Sequence, residues 1–386
     1  MKYKIKCFLK YFATIVLINI LKVLWILPID NDKILFFSFD GKQFSDNPKY
    51  IYINIKKNYP NKKIIWAFRN INNYKDLMNE VKLVKIDSLR FLFEIITSKV
   101  IITNDYISSF IPIRKSQILL NTWHGGSPLK TVGFAVSNPD YYNHYFFKIH
   151  NKKYSAFLSS SNFMTQEVFK KSFNYRGNIL EYGMPRNAIF FEDTKDLKNK
   201  VYKYFNIDDN NIGLVLYAPT FRGNSSNPKF LPNNQMIDIE MCKKALKNKF
   251  GKDFLFLFRA HHSMKNIMDN NVIIASDYPD MQELLCAVDV LITDYSSCMG
   301  DMALTRKPVF LYTPDLEEYI KDRGFYWDIY SLPFPIAKNN NEMEKNILDY
   351  NQNAYNNEIK KYFDSLVSFE NIDSTNKTVK WLSEHW

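Results

Sequence analysis

The chain has 386 residues, 46% of them hydrophobic and 24% charged, which excludes a disordered polymer and suits two domains of ordinary size. Its formal net charge of +11 favours an anionic partner, but the lysines are spread along the chain with no arginine-rich arm, so a dedicated nucleic-acid surface is disfavoured. The four cysteines include no Cys-x-x-Cys pair and predict reduced cytoplasmic thiols rather than disulfides or a zinc site.

The first thirty residues form a basic and apolar segment. Four lysines open it: Lys2, Lys4, Lys6 and Lys10. The mainly apolar run from Tyr11 to Ile29 has Lys22 as its one charged residue, and its longest charge-free piece, Tyr11–Leu21, is shorter than the roughly 20 apolar residues that a spanning helix needs. No small-residue cleavage site follows. Because apolar residues run nearly all round the helix, two interpretations stay open: a helix seated at the membrane surface, or a core helix of the first domain.

Beyond this segment, short β-branched and aromatic runs alternate with helical patterns. The predicted strands are Ile34–Phe39, Lys63–Phe68, Val100–Thr103, Gln117–Asn121, Ala156–Ser159, Asn178–Tyr182, Gly213–Tyr217, Phe254–Phe258, Val272–Ala275, Val290–Thr293 and Pro308–Tyr312. Most are continuous apolar runs, which is typical of parallel strands covered on both faces. Predicted helices such as Ser161–Phe173, Ile237–Lys249 and Met281–Ala287 fall between them.

This alternation comes in two blocks and predicts two doubly wound, Rossmann-like α/β domains. We place the membrane-associated helix at residues 1–30, the first domain at 31–187 and the second at 188–386. The closing helices, from residue 339 onward, could cross back onto the first domain. Ligands of doubly wound domains bind at the carboxyl ends of the strands, and the unusual motifs of this chain all follow predicted strands.

The first of these motifs is Thr-Trp-His-Gly-Gly-Ser-Pro-Leu-Lys, at residues 122–130. Two glycines and a proline predict a sharp turn, in which Gly125 lets the backbone approach a ligand and His124 stands at the strand tip. Histidine titrates near neutral pH and can take a proton from an attacking hydroxyl. A histidine that merely caps a turn is the alternative, but the flanking glycines favour a functional residue.

Three further strand ends carry polar side chains. Thr220 and Arg222 follow the strand at Gly213–Tyr217, and a hydroxyl with a guanidinium suits a phosphate. Arg259 and His261 follow the strand at Phe254–Phe258. A plain surface turn in the first case and a passive, solvated histidine in the second are the alternatives.

The last strand end reads Asp294-Tyr295-Ser296-Ser297, before a predicted helix at residues 298–305. Two hydroxyls at a helix N-terminus make an anion site, although a simple N-cap serine is the alternative. The chain has neither a Gly-x-Gly-x-x-Gly nor a Walker A sequence, which disfavours a dinucleotide enzyme and a P-loop kinase.

Together these motifs resemble, in order, the signatures of the CDP-glycerol glycerophosphotransferase family of teichoic-acid and capsule synthesis. The matching segments are Asn121–Lys130, Tyr217–Arg222, Thr293–Ser297 and Arg323–Tyr326, with an upstream likeness at Phe39–Gly41 and Ser45–Pro48. The resemblance covers about residues 33–330. Four dispersed signatures in family order are far more specific than any one alone.

The resemblance implies a GT-B-like fold, in which two domains face a cleft with the nucleotide in the second domain and the acceptor approaching from the first. It implies that His124 is the general base and that His261 is a second catalytic histidine. The implied substrate-binding residues are Gly125, Thr220, Arg222, Arg259, Asp294, Ser296 and Ser297. Two positions depart from the pattern: His262 replaces a proline, and Ala188 replaces an aspartate.

The predicted reaction transfers glycerol phosphate from CDP-glycerol to a hydroxyl of a lipid-linked polymer and releases CMP at the cytoplasmic face of the cell membrane. No cofactor and no metal site is required by the sequence, although Asp294 leaves a contact with Mg²⁺ open. Transfer of ribitol phosphate from CDP-ribitol, or of a sugar from a nucleotide sugar, is the enzymatic alternative. A non-catalytic membrane scaffold of polymer synthesis is an alternative of another class.

Overall fold

A computed structural model describes residues 2–136, 139–209, 211–220, 222–224, 227–229, 231–232, 235–259 and 272–386. Its strands, in chain order, are β1 Asp30–Phe37, β2 Lys63–Phe68, β3 Lys82–Lys85, β4 Ser98–Thr103, β5 Ile118–Asn121, β6 Ala156–Leu158, β7 Asn178–Leu180, β8 Gly213–Ala218, β9 Arg222–Asn224, β10 Asn227–Lys229, β11 Phe254–Phe258, β12 Val272–Ile274, β13 Val290–Thr293, β14 Val309–Tyr312 and β15 Ile336–Ala337. All eleven predicted strands are present within a few residues of their predicted ends.

Most of the α-helices fall between the strands, while α1 precedes β1 and the last three follow β15. They are α1 Lys2–Leu21, α2 Asp46–Asn58, α3 Leu89–Thr97, α4 Tyr142–His150, α5 Lys195–Tyr204, α6 Ile239–Phe250, α7 Met281–Ala287, α8 Cys298–Ala303, α9 Leu316–Arg323, α10 Asn340–Asp349, α11 Gln352–Leu366 and α12 Ser374–Ser383. A π-helical segment at Met164–Ser172 follows β6, and short 3₁₀ turns lie at Lys22–Ile26, Phe39–Gly41, Ile71–Asn79, Gly133–Ala135, Pro185–Phe191 and Ile329–Ser331.

Two parallel sheets confirm the predicted α/β class with two doubly wound domains. The first sheet has the order β3-β2-β1-β4-β5-β6-β7, and the second β12-β11-β8-β13-β14-β15. A separate antiparallel pair joins β9 to β10. Both large sheets reverse their winding once, between β1 and β4 in the first and between β8 and β13 in the second. Such a reversal leaves a crevice at the carboxyl ends of the two neighbouring strands.

The prediction missed one outer strand of each sheet, β3 in the first and β15 in the second. β3 reads Lys-Leu-Val-Lys, so a lysine at each end hides its short apolar centre, and β15 has two residues. An edge strand needs only one apolar face and few residues, and a search for continuous apolar runs therefore does not detect strands as short or as polar at their ends as these two.

The chain divides into two compact units that are not continuous in sequence. The first unit comprises residues 1–125, 132–188 and 368–386, and the second comprises 126–131 and 189–367. The predicted second domain, 188–386, differs in its last nineteen residues. Val379 and Leu382 of α12 are buried in the hydrophobic core of the first sheet, which explains why the closing segment belongs to the first unit.

The first helix packs on the first unit by one edge and exposes the rest. Tyr11 stacks on Tyr145 of α4 with ring centroids 4.7 Å apart. Of the described residues 2–26, however, Cys7 alone is buried, which the core-helix interpretation does not allow. The segment Lys2–Ile26 is also long and apolar enough, by length and composition alone, to cross a membrane, contrary to the prediction from Tyr11–Leu21.

Candidate active site

His124 stands where the winding of the first sheet reverses. Its turn follows β5, while the loops after β1 and β4 supply its neighbours Phe39 and Asn104. The backbone N–H of Thr122 donates to the carbonyl of Thr103 at 2.8 Å, which joins the turn to the end of β4. The predicted position at a strand tip is therefore the position that the structure shows.

The imidazole of His124 is held by a backbone carbonyl. Its Nδ1 lies 2.7 Å from the carbonyl oxygen of Asn104. Because a carbonyl only accepts, Nδ1 must carry the proton, and in the neutral ring Nε2 then carries the lone pair. Trp123 stacks on the ring at 4.6 Å between centroids, and Phe39 lies 5.5 Å away. This arrangement presents Nε2 as a proton acceptor of fixed direction.

The backbone of the same turn is held by charged and amide side chains. Arg186 donates from Nη1 both to the Asp46 carboxylate, at 2.6 Å, and to the carbonyl of His124, at 2.7 Å. Burial raises the pKa of the Asp46 carboxyl, and the ion pair with Arg186 opposes that rise. Trp123 has a positive φ of 53°, which an L residue rarely adopts.

Gly125 closes the histidine turn beneath the Trp123 side chain. A Cβ atom at Gly125 would lie 3.4 Å from Nε1 of Trp123, at the close end of ordinary contact. After Gly125 the chain enters the second unit, where residues 126–131 join the fourth signature. The carbonyl of Leu129 accepts from the N–H of Tyr326 at 2.8 Å, and the N–H of Thr131 donates to the carbonyl of Gly324 at 3.1 Å.

The second reversal, between β8 and β13, brings Thr220 and Asp294 together. Both carboxylate oxygens of Asp294 accept from the N–H of Thr220, at 2.9 and 3.0 Å, and Oδ1 also accepts from the N–H of Tyr295 at 2.5 Å. The hydroxyl of Thr220 is buried and bonds to none of the described residues. A buried hydroxyl normally has a partner, so this oxygen marks a place for a ligand or a water.

Arg222 is engaged by two carboxylates of its own unit. Its Nη1 donates to Asp294 at 2.8 Å, and its Nε and Nη2 donate to Asp315 at 2.5 and 2.8 Å. Burial would lower the pKa of the guanidinium, but Asp315 and Asp294 outweigh burial and raise it. Burial would raise the pKa of the Asp315 carboxyl, but the hydrogen bonds from Arg222 lower that pKa. The arginine that the sequence pattern predicts as a phosphate ligand is here the centre of an ion-pair network.

Ser296 and Ser297 precede α8, as predicted, and both are partly exposed. The helix has six residues instead of the predicted eight. The Ser297 hydroxyl caps none of the described backbone N–H groups, and the Oγ of Ser296 accepts from the N–H of Cys298 only at 3.5 Å. The N-cap alternative therefore does not account for Ser297, and both hydroxyls can turn to a ligand.

Arg259 and His261 have different outcomes. Arg259 donates from Nη1 to the carbonyls of Ala275 and Tyr278, at 3.1 and 2.6 Å, and burial lowers the pKa of its guanidinium. It therefore braces the loop after β12. His261 and the neighbouring His262 lie outside the described residues.

Lys130 is a residue that the strand-end motifs did not single out. Its ammonium lies 5.7 Å from the ring centroid of Tyr319, whose ring stacks on Tyr295 at 3.8 Å. Burial lowers the pKa of Lys130 to about 8, against the attraction of Asp294 and with the nearby Arg323 and Arg222 adding to the fall. The place of this lysine in the first signature was a usable signal. A half-buried cation that Asp294 attracts suits an anionic ligand.

A metal centre is not evident in the described part of the chain. There, no three side chains of His, Cys, Asp or Glu come together as potential ligands. The Asp294 carboxylate accepts from Thr220, Tyr295 and Arg222, so a Mg²⁺ ion at Asp294 would compete with these donors.

Comparisons with known proteins agree with the signatures. Residues 19–384 match the family described as CDP-Glycerol:Poly(glycerophosphate) glycerophosphotransferase. The chain is 30% identical to a teichoic acid poly(glycerol phosphate) polymerase of Bacillus spizizenii, over 98% of this chain and 99% of the relative. It is 28% identical to a teichoic acid poly(ribitol-phosphate) polymerase of the same species, over 88% of this chain and 55% of the relative. Two longer poly(glycerol phosphate) polymerases are spanned to 48% and 43% of their length.

The solved structures include a close fold relative. A histidine-to-asparagine variant of the wall teichoic acid polymerase TagF, soaked with CDPG, superposes with a TM-score of 0.79 and 25% identity. The match covers 100% of this chain and 98% of that chain.

Proposed function

The chain belongs to the CDP-glycerol:poly(glycerophosphate) glycerophosphotransferase family, and on that premise we propose that it transfers glycerol phosphate from CDP-glycerol to a hydroxyl of a teichoic-acid polymer, with release of CMP. One observation supports a specific residue as the catalytic base. The imidazole of His124 is fixed with Nδ1 on the Asn104 carbonyl and Nε2 left as the base, at the reversal of a doubly wound sheet.

The reaction is a displacement at phosphorus. Nε2 of His124 takes the proton of the acceptor hydroxyl. At the same time the oxygen of that hydroxyl forms a bond to the phosphorus that carries glycerol. The bond from that phosphorus to the bridging oxygen breaks, and CMP leaves with the electron pair. The barrier is dominated by bringing two anionic groups together and by stabilising charge on the transferring group. The first domain in this scheme carries the acceptor and the second carries the donor.

The donor diphosphate lies over the loop after β13. Ser296 and Ser297 donate their hydroxyls, the ammonium of Lys130 supplies positive charge, and the orphaned hydroxyl of Thr220 accepts or donates one further bond. Arg222 acts indirectly, by holding Asp294 and Asp315 in place. His261 keeps its predicted role as a second catalytic histidine, Gly125 admits the ligand, and Arg259 shapes the neighbouring loop.

The acceptor is lipid-linked, and α1 seats the enzyme on the cytoplasmic face of the membrane. Its exposed apolar side chains include Leu9, Phe12 and Ile20, each more than half exposed, and lysines flank them at the N-terminus. Apolar side chains buried among headgroups and lysines near anionic lipid both favour this position. It brings a soluble nucleotide and a lipid-anchored polymer to one enzyme.

The membrane proposal is tested by replacing Leu9, Phe12 and Ile20 together with glutamine. We expect most binding to anionic vesicles to be lost in a flotation assay. A matched control replaces Ile53, Met78 and Leu89, which are as exposed but lie elsewhere on the first unit, and should float like the wild type. Equal flotation of both variants would place the contact elsewhere.

CDP-ribitol is the second candidate donor, because a poly(ribitol-phosphate) polymerase is nearly as similar as the glycerol enzyme. The assay of function supplies CDP-glycerol, CDP-ribitol or a nucleotide sugar together with a lipid-linked acceptor, and it measures the nucleotide released. Release of CMP from CDP-glycerol supports the proposal. Faster release from CDP-ribitol would change the donor, a nucleoside diphosphate product would indicate sugar transfer, and no release would favour a scaffold.

A further inference from the structure

The turn that carries His124 is costly to form. Trp123, at φ 53°, and Asp46, at φ 64°, are both left-handed non-glycine residues, as are Phe39 and Asp40 at the end of β1. A left-handed backbone is strained for a residue that has a side chain, and it persists only where its surroundings enforce it. The contacts that enforce this turn therefore bear on where His124 points.

The buried ion pair between Arg186 and Asp46 contacts the His124 turn, although neither residue belongs to that turn. The side chains of Arg186 and Asp46 are 3% and 7% exposed, and the two residues are 140 positions apart in the chain. The nitrogen of Arg186 that binds Asp46 also donates to the carbonyl of His124. Asp46 thus holds the guanidinium of Arg186 in place, and the guanidinium in turn holds the carbonyl of His124.

Asn47 extends this grip to the two preceding peptides. Its Nδ2 donates to the carbonyls of Thr122 and Trp123, at 3.3 and 3.1 Å, while its Oδ1 accepts from the N–H of Arg186 at 3.1 Å. Three successive carbonyls, from residues 122 to 124, are therefore bound by residues 47 and 186. So dense a set of bonds on one short turn leaves its peptide planes little freedom.

We propose that Asp46 and Arg186 are positioning residues for His124, which hold its strained turn so that Nε2 points at the acceptor hydroxyl. This inference rests on the proposed role of His124 as the base. A buried ion pair is in general weak evidence for stability, since replacing it by apolar groups is often neutral. Here the ion pair has a second effect besides stability, because it holds Arg186 where the guanidinium also donates to the carbonyl of His124.

The chain offers a matched control. Lys33 and Glu94 form a second buried ion pair of the first unit, 2.9 Å long, and Lys33 lies near the amino end of β1 rather than at the carboxyl end where the His124 turn lies. Arg186→Met and Lys33→Met each remove a buried cation from an ion pair, and Glu94 keeps its bonds from Lys82 and Arg90 in the second variant. Both should lower the free energy of unfolding, and only the first should disturb the histidine. Arg186→Lys keeps a single nitrogen that can bind both Asp46 and the carbonyl.

The kinetic test measures kcat and the KM for CDP-glycerol with a saturating acceptor. We expect Arg186→Met to lower kcat about 100-fold with little change in KM, as a small misplacement of a catalytic group does. Arg186→Lys should recover most of that loss, and Lys33→Met should keep wild-type kcat. Equal kcat values for Arg186→Met and Lys33→Met, or no recovery in Arg186→Lys, would overturn the inference.

A second readout does not depend on activity. In protein with ¹⁵N-labelled histidine, the ring nitrogens of His124, assigned with His124→Gln, should show the Nδ1–H tautomer in the wild type and in Lys33→Met. Arg186→Met should give mixed tautomers, and unchanged ring shifts in that variant would overturn the inference. If the wild type releases no CMP while the ring shifts respond as expected, the proposed function fails and the positioning stands.

Discussion

The turn at His124 and the loop at Asp294 both lie at carboxyl ends of parallel strands near a reversal of winding, yet they are held in different ways. Asp294 follows β13, which borders the reversal of its sheet, while His124 follows β5, one strand further out, and contacts the loops after β1 and β4. The His124 turn contains the left-handed Trp123, it contacts the left-handed Phe39, and it is fixed by bonds to its carbonyls. In the described loop from Asp294 to Ser297 no residue has a positive φ, and charges hold it: Arg222 binds Asp294 and Asp315, with Lys130 close by.

This difference matches what each place has to do. Proton transfer depends on direction and distance within a fraction of an ångström, so a base benefits from a backbone that cannot relax. A diphosphate is bound mainly by charge and by hydroxyl donors, which tolerate small shifts. We therefore expect substitutions at the first place to lower turnover and those at the second to weaken donor binding or the fold of the second unit.

The largest effect is expected for the base. His124→Ala should lower kcat by about 10²- to 10⁴-fold, because general-base catalysis contributes that much, and should leave the affinity for CDP-glycerol nearly unchanged. Steady-state CMP release and calorimetry measure the two quantities. His385→Ala, at an exposed histidine of the closing segment, is the control. Wild-type turnover in His124→Ala would contradict the role of His124 as the general base.

The next effect concerns the charge network. Arg222→Met leaves Asp294 and Asp315 buried without their cation, and we expect the free energy of unfolding to fall by about 3–5 kcal/mol. Urea denaturation checks this, with Arg306→Met at an exposed arginine as the control. If Arg222→Met unfolds like the wild type but no longer binds CDP-glycerol, Arg222 is a phosphate ligand, as the sequence pattern suggested.

A smaller effect is expected for the serine pair. Replacing Ser296 and Ser297 with alanine removes two hydroxyl donors to an anion, which should raise the dissociation constant for CDP-glycerol by about 10- to 100-fold. Calorimetry on the folded variant measures it, and kcat at saturating donor should stay within a few-fold of the wild type. An unchanged dissociation constant would show that the diphosphate lies elsewhere.

The smallest effect is a pH dependence. Lys130, with its pKa lowered to about 8, is charged below that pH and neutral above it, so affinity for the anionic donor should fall by about tenfold as pH rises through 8. This step should vanish in Lys130→Met. It should persist in Lys307→Met, which replaces a half-buried lysine that donates to the carbonyls of Cys286 and Val288. A step that survives in Lys130→Met would assign it to another group.

The two sheets were predictable because their central strands are unbroken apolar runs, and the site motifs were predictable because each follows such a strand. Contacts across long stretches of chain were not predictable. Nothing in the sequence joins Asp46 to Arg186, 140 residues away, or Arg222 to Asp315, 93 residues away. The position of Arg222 after a strand therefore suggested a phosphate ligand, whereas in the structure Arg222 forms ion pairs with two carboxylates. Asp315 follows β14 as Asp294 follows β13, and that parallel was the available signal.

The central claim is that the acceptor attacks the phosphorus that carries glycerol, and one labelling measurement tests it most directly. CDP-glycerol with ¹⁸O in the oxygen between its two phosphorus atoms is incubated with the enzyme and a lipid-linked acceptor, and the released nucleotide is analysed by ³¹P NMR and mass spectrometry. The account predicts CMP that carries the label, since that oxygen departs with the leaving group. Unlabelled CMP, CMP found on the acceptor, or release of CDP would contradict it.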